Sequence, residues 1–172
     1  SLTPQTLAVF TAAFGDTVAV FHSGLSVGER MDEWKRVRTG RAKIVVGTRS
    51  AVFAPVQNLG LIVMDEEQES TYKSESTPRY HARDIAKFRV NYNRAYCLLC
   101  SATPSVESYY MAQSGKYRYH ALHHRYGDAV VPTVQLVDMN NEDLYRGKPM
   151  ISMALARAVS ENIRAGRQSI LL

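Results

Sequence analysis

Residues 61–68 read Leu61-Ile62-Val63-Met64-Asp65-Glu66-Glu67-Gln68, a short apolar run that ends in three consecutive acids. Such a run after Gly60 predicts a strand that is buried on both faces of a sheet. The acids then follow the carboxyl end of the strand, which is the edge of a parallel sheet where ligands bind. Adjacent carboxylates at that edge suit Mg²⁺ binding through water and activation of a water molecule for nucleotide hydrolysis. Taken alone, the stretch fits a solvated acidic turn equally well.

Strand, polar loop and helix alternate along the chain up to Gly115. Thr3-Pro4 begins a predicted helix that Gly15 ends, and Ser26 with Glu29 forms a capping box before the next helix. Four strand-to-helix units in series predict an α/β fold with a parallel β-sheet and helices on both faces. Besides the acidic strand, the pattern predicts strands at 17–21, 43–46 and 96–100, and helices at 4–14, 30–38, 78–90 and from Thr103-Pro104 to 114.

The character of the sequence changes after Gly115. The pattern there predicts a strand at 134–137, a helix from the Ser152 cap to 165 and a last strand at 169–172. We therefore predict two domains, residues 1–130 and the beginning of another at 131–172. Because Ser1 is not an initiator Met and the chain stops inside the last predicted strand, we expect a piece truncated at both ends.

Composition restricts the possible functions only loosely. The 172 residues carry a formal net charge of +5 and a pI near 9.3, which weakly favours a polyanionic partner. No apolar run approaches the ~20 residues of a membrane span, so we expect a cytoplasmic protein without membrane contact. Cys97 and Cys100 would point to opposite faces of a strand, which favours reduced thiols over a metal site. The histidines at 120, 123 and 124 lack an accompanying acid or thiol, which favours a connector over a metal site.

The polar loops after three predicted strands resemble those in the first motor lobe of superfamily 2 helicases, a RecA-like P-loop NTPase lobe. They are Gly47-Thr48-Arg49, Asp65-Glu66-Glu67-Gln68 and Ser101-Ala102-Thr103. Three further stretches, 1–5, 46–55 and 78–84, narrow the resemblance to the primosomal replication-restart helicases. The resemblance covers nearly the whole chain, including residues 101–108. Two departures stand out. Gln68 takes the place of the family's usual His, and the phosphate-binding G-x-x-x-x-G-K-[ST] that precedes the S-L-T-P-Q stretch in the family does not occur here.

The resemblance implies roles for individual residues. Glu66 would be the general base, and Asp65 would hold Mg²⁺ through water, with ATP as the nucleotide. Glu67, Gln68, Ser101 and Thr103 would couple nucleotide state to the DNA track. Contacts to DNA would come from a helix start, from small residues, from basic side chains and from an aromatic-rich stretch. These DNA-binding candidates are Pro4, Gln5, Gly47, Thr48, Arg49, Ser50, Arg79, Tyr80, His81 and Arg83.

The resemblance also implies a function for the whole protein. This would be an ATP-dependent 3′ to 5′ DNA helicase that restarts stalled replication forks by primosome assembly, in the cytoplasm near the bacterial nucleoid. Its partners would be single-stranded and forked DNA, primosome proteins and single-strand-binding proteins. The family's zinc would lie outside this segment. We expect the segment alone to hydrolyse no ATP and to self-associate.

Two alternatives remain from the residues themselves. A non-enzymatic DNA-structure binder or primosome scaffold would keep the sheet without using the acids. A Mg²⁺-dependent nuclease would need further acids or histidines near Asp65.

Overall fold

The computed structural model of the chain describes residues 4–123, 132–141, 143–148 and 150–171. The chain divides into two compact units, Ser1–His120 and Ala121–Leu172. The predicted domain boundary at 130 and 131 falls outside the described residues and stays a prediction. Among the described residues, no helix is long and apolar enough to span a membrane. The helices are α1 Pro4–Phe14, α2 Val27–Arg38, α3 Ala82–Asn93, α4 Val106–Gln113 and α5 Met153–Arg164, and the strands are β1 Val18–Phe21, β2 Ile44–Gly47, β3 Leu61–Met64 and β4 Tyr96–Leu99.

The first strand pair, β1 with β2, is parallel and in register from Val18 opposite Ile44 to Phe21 opposite Gly47. Helix α2 packs against it, and the buried core of this half contains Phe21, Val37 and Ala42. The predicted capping box is confirmed: Ser26 accepts a hydrogen bond from the Glu29 amide, and the Glu29 side chain accepts one from the Ser26 amide. Two orphan amides at the helix start are thereby satisfied.

The second strand pair, β3 with β4, is also parallel, from Leu61 opposite Tyr96 to Met64 opposite Leu99. Helix α3 covers one face, where Met64 packs with Ala82 and Ala86. On the other face Leu61 and Val63 are each 54 % exposed, and Tyr96 is 79 % exposed. The prediction that β3 is buried on both faces is therefore wrong for the described chain, because side chains alternate between the faces and only one face has a helix on it. Self-association through the open face stays a prediction.

The strands form two separate pairs within the described residues, although the sequence predicts one sheet. The chain leaves β2 through a 3₁₀ helix, Arg49–Phe53, whose Val52 packs into the β3–β4 core. On α3, the Arg89 guanidinium donates to the Val52 carbonyl. The two pairs are thus joined through this turn and its side chains instead of through a backbone ladder.

Two helices begin later than predicted. Helix α3 starts at Ala82 instead of residue 78, because Lys73 and His81 pair as an antiparallel bridge and hold the preceding chain extended. Helix α4 takes Ser105 as its cap instead of Thr103, with the Ser105 hydroxyl accepting from the Ser108 amide at 3.3 Å. Thr3, the predicted cap of α1, lies outside the described residues.

In the second unit the predicted cap is confirmed, since the Ser152 hydroxyl accepts from the Leu155 amide at 3.0 Å at the start of α5. The two strands predicted there are wrong: residues 134–137 and 169–171 form no strand, and Leu172 lies outside the described residues. A strand requires a hydrogen-bonded neighbour, and the described part of this unit offers these segments none.

Gly47 ends β2 where the backbone runs against Phe21. A Cβ at position 47 would lie 2.7 Å from the Ala51 Cβ and closer still to the Phe21 carbonyl oxygen. We expect Gly47→Ala to lower the free energy of unfolding by about 1 to 3 kcal/mol through overpacking. Gly28→Ala is the matched control, because a Cβ there meets open space in α2 and improves helix propensity by up to about 1 kcal/mol. Urea denaturation of both variants measures the difference, and a Gly47→Ala protein as stable as its parent would contradict the packing.

Candidate functional site

The acidic loop, residues 65–68, turns sharply at the carboxyl end of β3. Asp65 and Glu66 are exposed, and the Glu69 amide closes the turn by donating to the Glu66 carbonyl at 2.9 Å. Glu66 has a φ of +48°, in the left-handed region that non-glycine residues rarely adopt. Its amide donates to Asp65 Oδ1 at 3.1 Å. Two adjacent carboxylates are therefore presented to solvent at the sheet edge, with a strained backbone between strand and loop.

Glu67 points the opposite way and is 2 % exposed. Its Oε1 accepts from the Ser105 amide at 2.6 Å, and its Oε2 accepts from the Ser108 hydroxyl at 2.9 Å and the Ser105 hydroxyl at 3.2 Å. The Glu67 amide donates to the Cys100 carbonyl at 3.0 Å. A buried carboxylate needs such partners, and these tie the acidic loop to the start of α4.

Arg83 completes the buried cluster. Its Nη1 lies 3.0 Å from Glu67 Oε2 and also donates to the hydroxyls of Ser105 at 2.9 Å and Ser108 at 3.1 Å. The Arg83 side chain is 15 % exposed, and its Nε is buried without a hydrogen-bond partner in the described part of the chain. This guanidinium is engaged inside the protein, so the geometry favours a linking role over the DNA contact suggested by the sequence.

The pKa of Glu67 reflects two opposing effects. Burial raises it, but hydrogen bonds from the Ser105 amide, the Ser108 and Ser105 hydroxyls and Arg83 lower it, and the net pKa lies below the ordinary value of 4.5. Glu67 is thus an ionised carboxylate in the interior at neutral pH.

Gln68 bridges the acidic loop and the loop after β4. Its Nε2 donates to Glu66 Oε2 at 2.8 Å, while its Oε1 accepts from the Ser101 hydroxyl at 2.5 Å. Ser101 Oγ in turn accepts from the Thr103 amide at 2.9 Å. An unbroken chain of hydrogen bonds therefore joins Glu66 to three of the four residues predicted for coupling: Gln68, Ser101 and Thr103. The fourth, Glu67, belongs to the buried cluster.

Asp65 is held through its backbone by Tyr72, whose hydroxyl donates to the Asp65 carbonyl at 2.7 Å. Burial, followed by the charges of Asp65, Glu69 and Glu66, raises the pKa of Tyr72. This contact leaves the Asp65 carboxylate facing solvent. In the described residues no group of three or more His, Cys, Asp or Glu side chains converges to form a metal cage. Mg²⁺ needs no such cage when phosphate oxygens and water supply most ligands, so the Asp65 carboxylate fits that ion.

Several predicted DNA-binding residues are engaged within the protein. Arg49 donates to the carbonyls of Thr71, at 3.1 Å, and of Lys73, and its guanidinium lies 5.8 Å from the Tyr80 ring centroid. Tyr80 also meets Phe53 edge to face at 5.0 Å. His81 is the cap of α3, where its Nδ1 accepts from the Arg83 amide at 3.2 Å. Burial and then the Arg83 charge lower the pKa of His81, which favours the neutral imidazole.

Other predicted DNA-binding residues are open to solvent. Thr48 and Ser50 are exposed beyond β2, and Ser50 lines a cavity of about 240 Å³ together with Trp34 and Phe53. Gly47 is half-buried, and its missing side chain is explained by the contact with Phe21. The remaining exposed candidates are Pro4, Gln5 and Arg79.

Sequence reasoning missed Ser108 and assigned Ser105 no role in the site. Ser105 in the spacing Ser105-x-x-Ser108 is typical of a helix cap, and Ser108 in the first turn has no local signal of its own. Nothing in that spacing indicates a buried carboxylate as partner. The thiols of Cys97 and Cys100 are free and half-buried, and burial raises the pKa of each. His124 lies outside the described residues.

Known proteins that are similar to this chain are helicases and replication restart proteins. Residues 1–112 match the family model of DEAD/DEAH box helicases. The chain is 47 % identical over 171 residues to the replication restart protein PriA of Bacillus subtilis, covering 99 % of this chain and 21 % of that protein. It is 43 % identical over 173 residues to PriA of Chlamydia trachomatis, with 99 % and 23 % covered, and 43 % identical over 175 residues to PriA of Synechocystis, with 99 % and 21 % covered. The chain thus spans about a fifth of the length of these relatives.

The Glu67 cluster predicts a pH-dependent stability. Glu67→Gln should lower the free energy of unfolding at about pH 7 by about 3 to 5 kcal/mol, because the Arg83 charge stays buried without its partner. Because the pKa of Glu67 is lowered in the fold, its stabilisation is present above 4.5 and is lost as the pH falls through the folded-state value. The gap between parent and variant should therefore narrow as the pH falls below 4.5.

Urea denaturation across this pH range measures that gap. The exposed Glu69, changed to Gln, is the control and should follow the parent at every pH. A gap that stays constant down to low pH would show that the Glu67 charge contributes nothing.

Proposed function

The chain belongs to the DEAD/DEAH box helicase family, and we propose that it forms part of the ATP-hydrolysing motor of a DNA helicase that acts in replication restart. The observation that carries this proposal is the pair of exposed carboxylates at the end of β3, linked by Gln68 to the Ser101 loop. A scaffold that only binds DNA has no use for two adjacent carboxylates held on a strained turn.

Asp65 is the proposed Mg²⁺ ligand. Its carboxylate follows β3 directly and is exposed, while its backbone is fixed by the Tyr72 hydroxyl. Bound with ATP, the ion would neutralise charge on the β- and γ-phosphates. The backbone cradle for those phosphates would come from a part of the protein outside this sequence, which has no G-x-x-x-x-G-K-[ST].

Glu66 is the proposed general base. A carboxylate in this role orients the attacking water and accepts its proton as the bond to the γ-phosphate forms. The hydrogen bond from Gln68 Nε2 to Glu66 Oε2 uses one carboxylate oxygen and fixes the plane of the group. The other oxygen is then free to meet a water molecule.

Gln68 supports a coupling role despite replacing the family's usual His. Its amide donates to Glu66 and accepts from Ser101 at the same time, as a neutral imidazole also can. Movement of the Ser101 loop would therefore be transmitted to Glu66 through the two hydrogen bonds of Gln68.

The DNA track is proposed to cross the exposed residues beyond β2 and before α3. Thr48 and Ser50 offer hydroxyls to a phosphate backbone, and Arg79 offers charge. Base stacking on Tyr80 requires release of its contact with Phe53. Unwinding from 3′ to 5′, primosome assembly and interaction with single-strand-binding proteins are proposed on the resemblance alone.

Glu66→Gln in the full-length protein should keep nucleotide binding and lose turnover. The amide preserves the shape of the carboxylate but cannot accept a proton, so we expect a loss of about 10²-fold or more in DNA-stimulated ATPase rate. Glu69→Gln, three residues away on the exposed end of the turn, is the control. A rate within a few-fold of the parent would exclude Glu66 as the base.

Gln68→Ala and Ser101→Ala should each reduce the stimulation of ATPase activity by single-stranded DNA several-fold, measured as the plateau rate at saturating DNA. Because both residues act in one hydrogen-bonded chain, the double variant should be no worse than either single variant. Gln113→Ala at the exposed end of α4 is the control. Additive losses in the double variant would mean that the two residues act independently.

A further inference from the structure

We propose that Glu67 and Arg83 are positioning residues that hold Glu66 in its left-handed backbone conformation and so fix the direction of its carboxylate. This inference rests on the proposed function for Glu66 as a base, but its structural part concerns the acidic loop alone. Neither residue touches the reacting atoms in this arrangement. Their action passes through the backbone.

The backbone of Glu66 is strained. A φ of +48° at a glutamate is unfavourable, and such conformations persist only where the surrounding structure fixes the chain on both sides. On the side before Glu66, β3 is paired with β4 up to Met64 opposite Leu99. The side after Glu66 therefore needs an anchor of its own.

Glu67 is that anchor. Its amide donates to the Cys100 carbonyl, which continues the pairing of the two chains beyond the end of β3. Its carboxylate accepts four hydrogen bonds from three residues of α3 and the α4 start, two from Ser105 and one each from Ser108 and Arg83. Separating the buried Glu67 carboxylate from these partners would cost much free energy. Glu67 is therefore held in one position next to Glu66.

Arg83 makes the anchor depend on helix α3. All of its contacts to the cluster run through Nη1, which reaches Glu67, Ser105 and Ser108. Arg83 is the second residue of α3, two residues after the His81 cap, and the Arg79–Tyr80 segment precedes that cap. A displacement of that helix start would consequently move Glu67 and relax the turn at Glu66.

The test uses the full-length protein and a charge-free pair, Glu67→Gln with Arg83→Met. This double variant removes both charges, so that no unpaired charge is left in the interior, and we expect it to fold. The matched control is Glu33→Gln with Arg36→Met, since Glu33 Oε1 and Arg36 Nη1 form a 2.5 Å ion pair on α2, away from the acidic loop. Hydrogen exchange of amides 65–68 and the ATPase constants kcat and KM are measured for each protein.

The expected result is faster exchange at residues 65–68 with β3 and β4 still protected, and a kcat about 10²-fold below the parent, with the KM for ATP unchanged. The control pair should change neither quantity. Parent-like exchange in the acidic loop, or a parent-like kcat, in a folded double variant would overturn the proposal. A parent without ATPase activity would defeat the proposed function, while the exchange measurement would still decide whether the anchor exists.

Two milder variants keep the test decisive if the double variant does not fold. Ser108→Ala removes one hydrogen bond to Glu67 and should raise exchange at residues 65–68, whereas Ser114→Ala at the other end of α4 should not. Arg83→Lys keeps a single charged donor, which suffices where only Nη1 is used, and should retain more kcat than Arg83→Met. Equal exchange in the two serine variants, or equal kcat in the two arginine variants, would contradict the anchor.

Discussion

The geometry of the site depends on the burial of the Glu67 carboxylate. An ionised group in the interior is tolerated only with several charged or dipolar partners, and here they come from residues distant in sequence: Arg83, Ser105 and Ser108. Hydrogen bonds to this one carboxylate therefore join the acidic loop to the start of α3 and the start of α4. The loop takes its shape from tertiary structure, since a local turn motif would not bury its own acid.

This constraint explains how three consecutive acids can coexist. Like charges in neighbouring positions repel one another. The left-handed residue Glu66 redirects the chain, so that Glu67 turns inward to Arg83 while Asp65 and Glu66 remain exposed. One acid is neutralised by an internal cation, and the two others remain exposed to solvent. The same sequence in an extended conformation would alternate its side chains and would not separate the acids in this way.

The parts of the structure that follow from local rules were predictable from the sequence. The capping box of Ser26 and Glu29 and the Ser152 cap depend on neighbours within a few residues, and the strands at 18–21 and 96–99 show in their own run of apolar residues. The inward direction of the Arg83 side chain was not predictable. An exposed arginine in an aromatic-rich stretch and an arginine that pairs with a buried acid 16 residues earlier have the same local sequence pattern. Burial of β3 on one face only was missed for a related reason: apolar side chains on both faces do not reveal which face a helix covers. The segment 134–137 has strand composition but lacks a partner strand in the described chain.

Magnitudes separate the contacts that DNA could displace from those that it could not. Arg49 over Tyr80, at 5.8 Å, is a partly exposed cation–π contact of about 0.5 to 1 kcal/mol. The Arg49 hydrogen bonds to two carbonyls have a charged donor and contribute about 1.5 to 3 kcal/mol each. Stacking of a base contributes about 1 to 3 kcal/mol, and a phosphate can replace the carbonyls as acceptor for the same guanidinium, so a nucleic acid can exchange its own contacts for these. Breaking the Glu67–Arg83 pair costs about 3 to 5 kcal/mol, which a single phosphate contact does not recover once Glu67 is left buried. If the proposed function holds, DNA therefore meets Arg49 and Tyr80 directly and affects Arg83 only by moving the helix that carries it.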